Sequence, residues 1–137
     1  MSYFGSIINN SATIIAKASA KITDGAFLAA TLTENGVAVS KASETPIGIM
    51  VAETGTVEAG EEVTIQIKDI GLAKVGAAVN AGDLLAADAS GKLIKATEGT
   101  FAVAVALDTA TASDQVIQVQ ICKPGWLAVS VKKNSVQ

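Results

Sequence analysis

Slid along itself by 54 positions, the chain repeats its own text, and that repeat limits the folds open to it. Lys41-Ala42-Ser43-Glu44 falls on Lys95-Ala96-Thr97-Glu98, and Val63-Thr64-Ile65-Gln66-Ile67 falls on Ile117-Gln118-Val119-Gln120-Ile121. Between them, Ile49-Met50-Val51-Ala52 meets Val103-Ala104-Val105-Ala106, and at the end Gly71 meets Gly125. With a little slack the match extends upstream, where Gly25-Ala26-Phe27-Leu28-Ala29-Ala30 resembles Gly82-Asp83-Leu84-Leu85-Ala86-Ala87. Each half spells turn, strand, turn, strand and a closing Val/Ile strand. So small a unit cannot bury its apolar face alone. Two copies are expected to pack face to face about a pseudo-twofold, over one shared core.

The text inside each copy is that of short strands. Asp24-Gly25, Asn35-Gly36, Ala59-Gly60, Ala81-Gly82 and Ser90-Gly91 are turn signals between apolar runs. Asn35-Gly36 reads as a type I′ hairpin, and Val63-Thr64-Ile65-Gln66-Ile67 alternates with the period of a half-buried strand. Pro46 and Pro124 stand at the edges of apolar runs, where a missing N–H does least harm. One short helical turn is expected near residues 76–80. The fold class is therefore all-β: a small β-barrel or β-tulip-like sandwich of two pseudo-repeated units, with an extended N-terminal segment. The units run over about residues 22–71 and 79–125 of a single domain, residues 21–137. The link at residues 72–80 is too short to separate independent domains.

Residues 1–20 read as an N-terminal arm. Tyr3 and Phe4 are followed by Ile7, Ile8, Ile14 and Ile15 among polar residues, whereas a chain end is ordinarily polar. Such a segment docks on something, either its own body or a neighbouring chain. Trp126, just after Pro124-Gly125, has two readings as well: a plug closing one end of the barrel, or an interface anchor.

Chemistry is sparse along the chain. All the basic residues are Lys, with no Arg and no His, and the net charge is −3. Without Arg the chain lacks the favoured bidentate ligand of phosphate and guanine, and without His it lacks the usual proton shuttle. Nucleic-acid binding and triad catalysis are disfavoured, although Glu or Lys could still serve as a general base. Cys122 is single, so it forms no intrachain disulfide, and its place in an apolar alternation reads as packing rather than as a reactive thiol. Asp24, Asp83, Asp108 and Asp114 each adjoin Gly, Ser or Thr, and Asp88 lies two residues before Ser90-Gly91, which is turn chemistry. Glu61-Glu62 read as charges guarding a strand end. No D-x-D-x-D-G loop, phosphate-binding glycine loop or G-x-S-x-G elbow occurs, so no metal, cofactor or catalytic residue is expected. No apolar run approaches a membrane span, and the first residues lack the basic start of a signal peptide. Synthesis and folding in a cytoplasm are expected.

Three stretches carry a family likeness. Ile22-Thr23-Asp24-Gly25-Ala26-Phe27-Leu28, Pro46-Ile47-Gly48-Ile49-Met50-Val51 and Gly60-Glu61-Glu62-Val63-Thr64-Ile65-Gln66-Ile67 resemble tailed-bacteriophage capsid decoration (cement) and head-fibre proteins. Val79-Asn80-Ala81-Gly82-Asp83-Leu84-Leu85, with Asp88-Ala89-Ser90-Gly91-Lys92, looks closer still. The resemblance implies a homotrimeric, non-enzymatic virion protein on the outer capsid surface, bridging major capsid protein subunits and made in the bacterial host's cytoplasm. It assigns shell contact to the N-terminal residues Tyr3, Phe4, Ile7 and Ile8. A second reading is a biotinyl- or lipoyl-like carrier or small-ligand module, with Lys74 at a hairpin tip between the halves. A third is an enzyme of unrecognised type using Cys122.

Overall fold

The computed structural model describes residues 11–51 and 55–128. Among the described residues the secondary structure is all strand. The first half contributes β1 (Thr13–Lys17), β2 (Ile22–Thr23), β3 (Ala29–Thr33), β4 (Gly36–Val39), β5 (Pro46–Met50), β6 (Thr56–Val57) and β7 (Glu62–Gln66). The second contributes β8 (Ile70–Lys74), β9 (Leu84–Ala87), β10 (Leu93–Lys95), β11 (Ala102–Ala106) and β12 (Val116–Ile121). The strands build two open five-stranded antiparallel sheets, ordered β1-β7-β5-β3-β4 and β8-β12-β11-β9-β10, plus the small pair β2-β6. The two large sheets have one topology. The duplication read from the sequence is a duplication of architecture.

The equivalence reaches down to single bonds. In each sheet the two edge strands meet through one parallel bridge, Ala18 with Val37 and Val75 with Leu93. Each sheet is bulged at the same step, between Ala30 and Thr31 in one and facing Ala102 and Ala104 in the other. The Ser40 N–H donates to the Ala29 carbonyl as Ala96 does to Leu84, and Phe27 donates to Met50 as Gly82 does to Ala106. Alternation does the sorting. In β12, Ile117, Val119 and Ile121 face the core while Val116, Gln118 and Gln120 face solvent.

Several sequence expectations change. The repeat begins earlier than Ile22: Thr13–Lys17, placed in the arm, is β1 and pairs with β7 along its full length. Its counterpart is β8, which lies across what read as the start of a link. No helix forms near residues 76–80; Val75 and Val79 make strand bridges there, to Leu93 and Ala110. The ungapped overlay also misplaces β5. Met50 pairs with Ile65 as Ala106, not Ala104, pairs with Val119. A slip of two residues keeps every side chain on its own face, so the apolar pattern cannot detect it.

The hairpin at Asn35-Gly36 is present with a different centre. Thr33 faces Gly36, so Glu34 and Asn35 form the turn, and neither has the positive φ that type I′ requires. Gly36 is needed for another reason: a Cβ there would strike the Lys17 carbonyl, where β1 closes on β4.

Nor is there one shared core. Ala18, Ile22, Ala30, Val37, Met50, Val63 and Ile65 form a core inside the first repeat. The second cluster is built from the second repeat and borrows only Ala29 and Ile49 from the first. The repeats meet along a seam. There the Lys74 N–H donates to the Phe27 carbonyl at 2.9 Å, and Ala29 donates to the Gly91 carbonyl at 2.8 Å. Gln66 Nε2 crosses to the carbonyls of Lys68 and Ile70, each at 2.9 Å. Gly71 leaves room for that amide, since a Cβ there would collide with Gln66 Oε1.

Candidate contact surface

The Trp126 region is built by an interruption in β12. Beyond Ile121 the Cys122 N–H still bonds to Val103, and then Pro124 and Gly125 turn outward, with Gly125 at φ +84°. Proline followed by a residue at positive φ is ordinary turn chemistry, and Gly carries that φ without strain. The chain then resumes pairing with the residues before β11: Ala102 donates to the Trp126 carbonyl at 2.7 Å, Ala128 to Thr100 at 2.8 Å, and Phe101 bridges Leu127. The backbone of Trp126 is thus fixed from both sides while its side chain is held away from the core, 52% exposed.

Beside this turn lies an open, mainly apolar hollow of about 560 Å³, walled by Val105, Ile121, Pro124 and Trp126. Further apolar residues continue along the same outer face. Ile70 and Leu72 on β8 pair with Gln120 and Gln118 on β12, and Val116 pairs with Lys74. Ile70, Leu72 and Val116 are exposed, as is Leu127. Isolated exposed apolar side chains are ordinary; a run of them around a fixed Trp makes this face the candidate contact surface.

Trp126 is therefore not a buried plug, because half of it meets solvent. Tyr3, Phe4, Ile7 and Ile8 lie outside the described residues. Sequence reasoning missed Ile70, Leu72 and Val116. Their signal was the outward phase of an alternation whose inward phase is Ala73, Ile117 and Val119.

Several of the described carboxylates serve turns. Asp88 Oδ1 accepts the N–H groups of Ser90 and Lys92, Asp83 caps the Asn80 N–H, and Asp108 accepts from Gln118. Asp24, Asp69 and Asp114 hold positive φ, which Asp tolerates better than most residues. Glu61 caps the Glu58 N–H, and Lys92 pairs with Asp114 at the surface. Burial pushes the Cys122 thiol up from its ordinary value, which disfavours a thiolate. Lys74, the residue a carrier would present at a hairpin tip, instead lies within β8. Among the described residues no group of three or more His, Cys, Asp or Glu gathers to hold a metal, and no helix is long and apolar enough to cross a membrane.

The paired sheets and the exposed apolar outer face define an all-β protein of the two-sheet class with a candidate contact surface. The comparisons with known proteins narrow the class. The chain belongs to the phage cement protein family, whose model matches residues 8–121, and its role is structural, at the phage head. The N base of the head fiber gp8.5 of bacteriophage phi29 superimposes with a TM-score of 0.59, over 80% of this chain and 92% of that one. Its sequence identity is 14%, so that likeness speaks for the fold alone. No curated protein matches the chain.

Proposed function

We propose that the protein decorates and stabilises a phage head by binding the outer surface of the capsid as a homotrimer, with the major capsid protein as its partner and no catalytic activity. The observation that carries this is the family match across both repeats, on a body whose outer face holds Trp126 half exposed. Shell contact falls to Trp126 and to the N-terminal residues Tyr3, Phe4, Ile7 and Ile8. A capsid is a repeating surface, so several modest contacts per trimer add up to firm attachment without any single strong one.

The test is occupancy on purified heads that lack the protein. Added wild type should saturate the heads and raise their resistance to heat-driven rupture. Trp126→Ala and a variant lacking residues 1–10 should each lower occupancy, Trp126→Ala by roughly tenfold in affinity or more if it is a hot spot. Full occupancy by both variants would remove these residues from the contact, and failure of wild type to bind would remove the capsid as partner.

A further inference from the structure

The seam between the repeats is one-directional. The first repeat supplies a seat: the Phe27 carbonyl, the Ala29 N–H, and the outer side of β5 and β7 with Ile49, Val51 and Gln66. The second supplies an edge: β8 and the turn carrying Gly91. Since the repeats are equivalent strand for strand, the second repeat also owns a seat, and the first also owns an edge. Among the described residues neither is used.

Counterparts follow from the strand registers. Gly82, Leu84, Ala106, Leu107 and Gln120 correspond to Phe27, Ala29, Met50, Val51 and Gln66. On the edge, β1 corresponds to β8, so Ile15 stands for Leu72, Lys17 for Lys74, and Asn35 for Gly91. The used seat is sealed: Ile49 is 2% exposed and belongs to the second repeat's core. The unused seat is open, with Leu107 41% exposed and Gln120 exposed as well. The unused edge is open too, and Ile15 at 64% is its exposed apolar residue. Leu72 lines the used seat together with Phe27, Met50, Val51 and Gln66.

We infer that a second copy of this chain docks head to tail, its β1 edge and β3–β4 turn entering the second repeat's seat as β8 and the Gly91 turn enter the first. This deepens the self-association in the proposed function. It brings Ile15 of one copy onto Leu107 of the next, and points the Lys17 N–H at the Gly82 carbonyl. A contact between unlike patches is heterologous, so it propagates around a ring when the rotation closes. One feature does not carry over. Gly71 makes room for Gln66 at the internal seam, but its counterpart is Ile14, which packs against the first repeat's core. Gln120 therefore lacks the crossing bonds of Gln66, and the seam between copies is the weaker one.

Unlike patches give a test that like patches cannot pass. Ile15→Asp spoils only the edge and Leu107→Asp only the seat, and both side chains are exposed, so folding should survive. In sedimentation velocity the wild type should assemble, and each variant alone should be monomeric, its association weakened roughly tenfold or more. An equimolar mixture should form dimers, since it holds one intact edge and one intact seat. A variant that assembles like wild type, or a mixture that stays monomeric, overturns the docking geometry. A monomeric wild type overturns self-association itself. Should a charged variant misfold, a chain carrying Ile15→Cys and Leu107→Cys should crosslink between copies on oxidation, and failure to crosslink overturns the inference. Head binding by a monomeric variant leaves capsid decoration standing, so the two proposals fail separately.

Discussion

Ile49 and Val105 occupy the same place in the two repeats, on strands with the same neighbours, yet one is sealed and the other only partly buried. Gln66 and Gln120 differ in the same way: one spans a seam with two hydrogen bonds, and the other faces solvent. Nothing in the strands themselves makes the difference. The first repeat is followed by a strand that folds over its outer face, whereas the second is followed by the Pro124–Gly125 turn. One surface is thus interior in the first repeat and available for contact in the second.

Four measurements would break or sharpen that contrast. The largest effect is expected at Ile49. Ile49→Ala should cost about 3 kcal/mol in urea denaturation, through lost burial and a cavity, while Val105→Ala costs under about 1 kcal/mol. Equal losses would mean that the second seat is covered within the chain as well. Next comes Gly48, whose added Cβ would strike the Gln66 carbonyl. Gly48→Ala should destabilise by roughly 2 kcal/mol, since the backbone must yield, and the reverse change at its counterpart, Ala104→Gly, by about 1 kcal/mol.

The amide bridge is smaller. Gln66→Ala should cost about 1 kcal/mol and Gln120→Ala within about 0.5 kcal/mol, and a larger loss at Gln120 would give it a partner inside the chain. The smallest effect belongs to the Lys92–Asp114 pair. The hydrogen bond from Lys92, with its charge, holds the Asp114 carboxyl below its ordinary range, and the same bond raises Lys92. A lowered carboxylate stabilises the fold above its unfolded pKa and loses that contribution as pH falls through its folded value. Both groups are exposed, so Asp114→Asn should flatten the acid limb of the melting-temperature profile only marginally, and less in high salt.

Much of the fold was legible because period-two alternation and turn residues are local signals. β7 and β12 were readable from Val63-Thr64-Ile65-Gln66-Ile67 and Ile117-Gln118-Val119-Gln120-Ile121 alone. Even the missed pair β1 and β8 had left a trace, since Ile15-Ala16-Lys17 and Leu72-Ala73-Lys74 are near copies. Its setting disguises it, since the early residues read as an arm and the later ones as a link. The contact surface was half legible. Trp126 stood out as a rare large aromatic, whereas Ile15, Ile70 and Leu107 are ordinary letters whose exposure depends on what lies over them.

The sequence by itself determined the strand-and-turn vocabulary, the face on which each side chain falls, the duplication, and the resemblance to phage cement proteins. Only the tertiary structure decided the register of β5 against β7, the separation into two cores, and which copy of a shared face is covered. The reason is that alternation encodes parity and no more. Two positions of slip leave it unchanged, and the cover over a given face comes from residues distant along the chain.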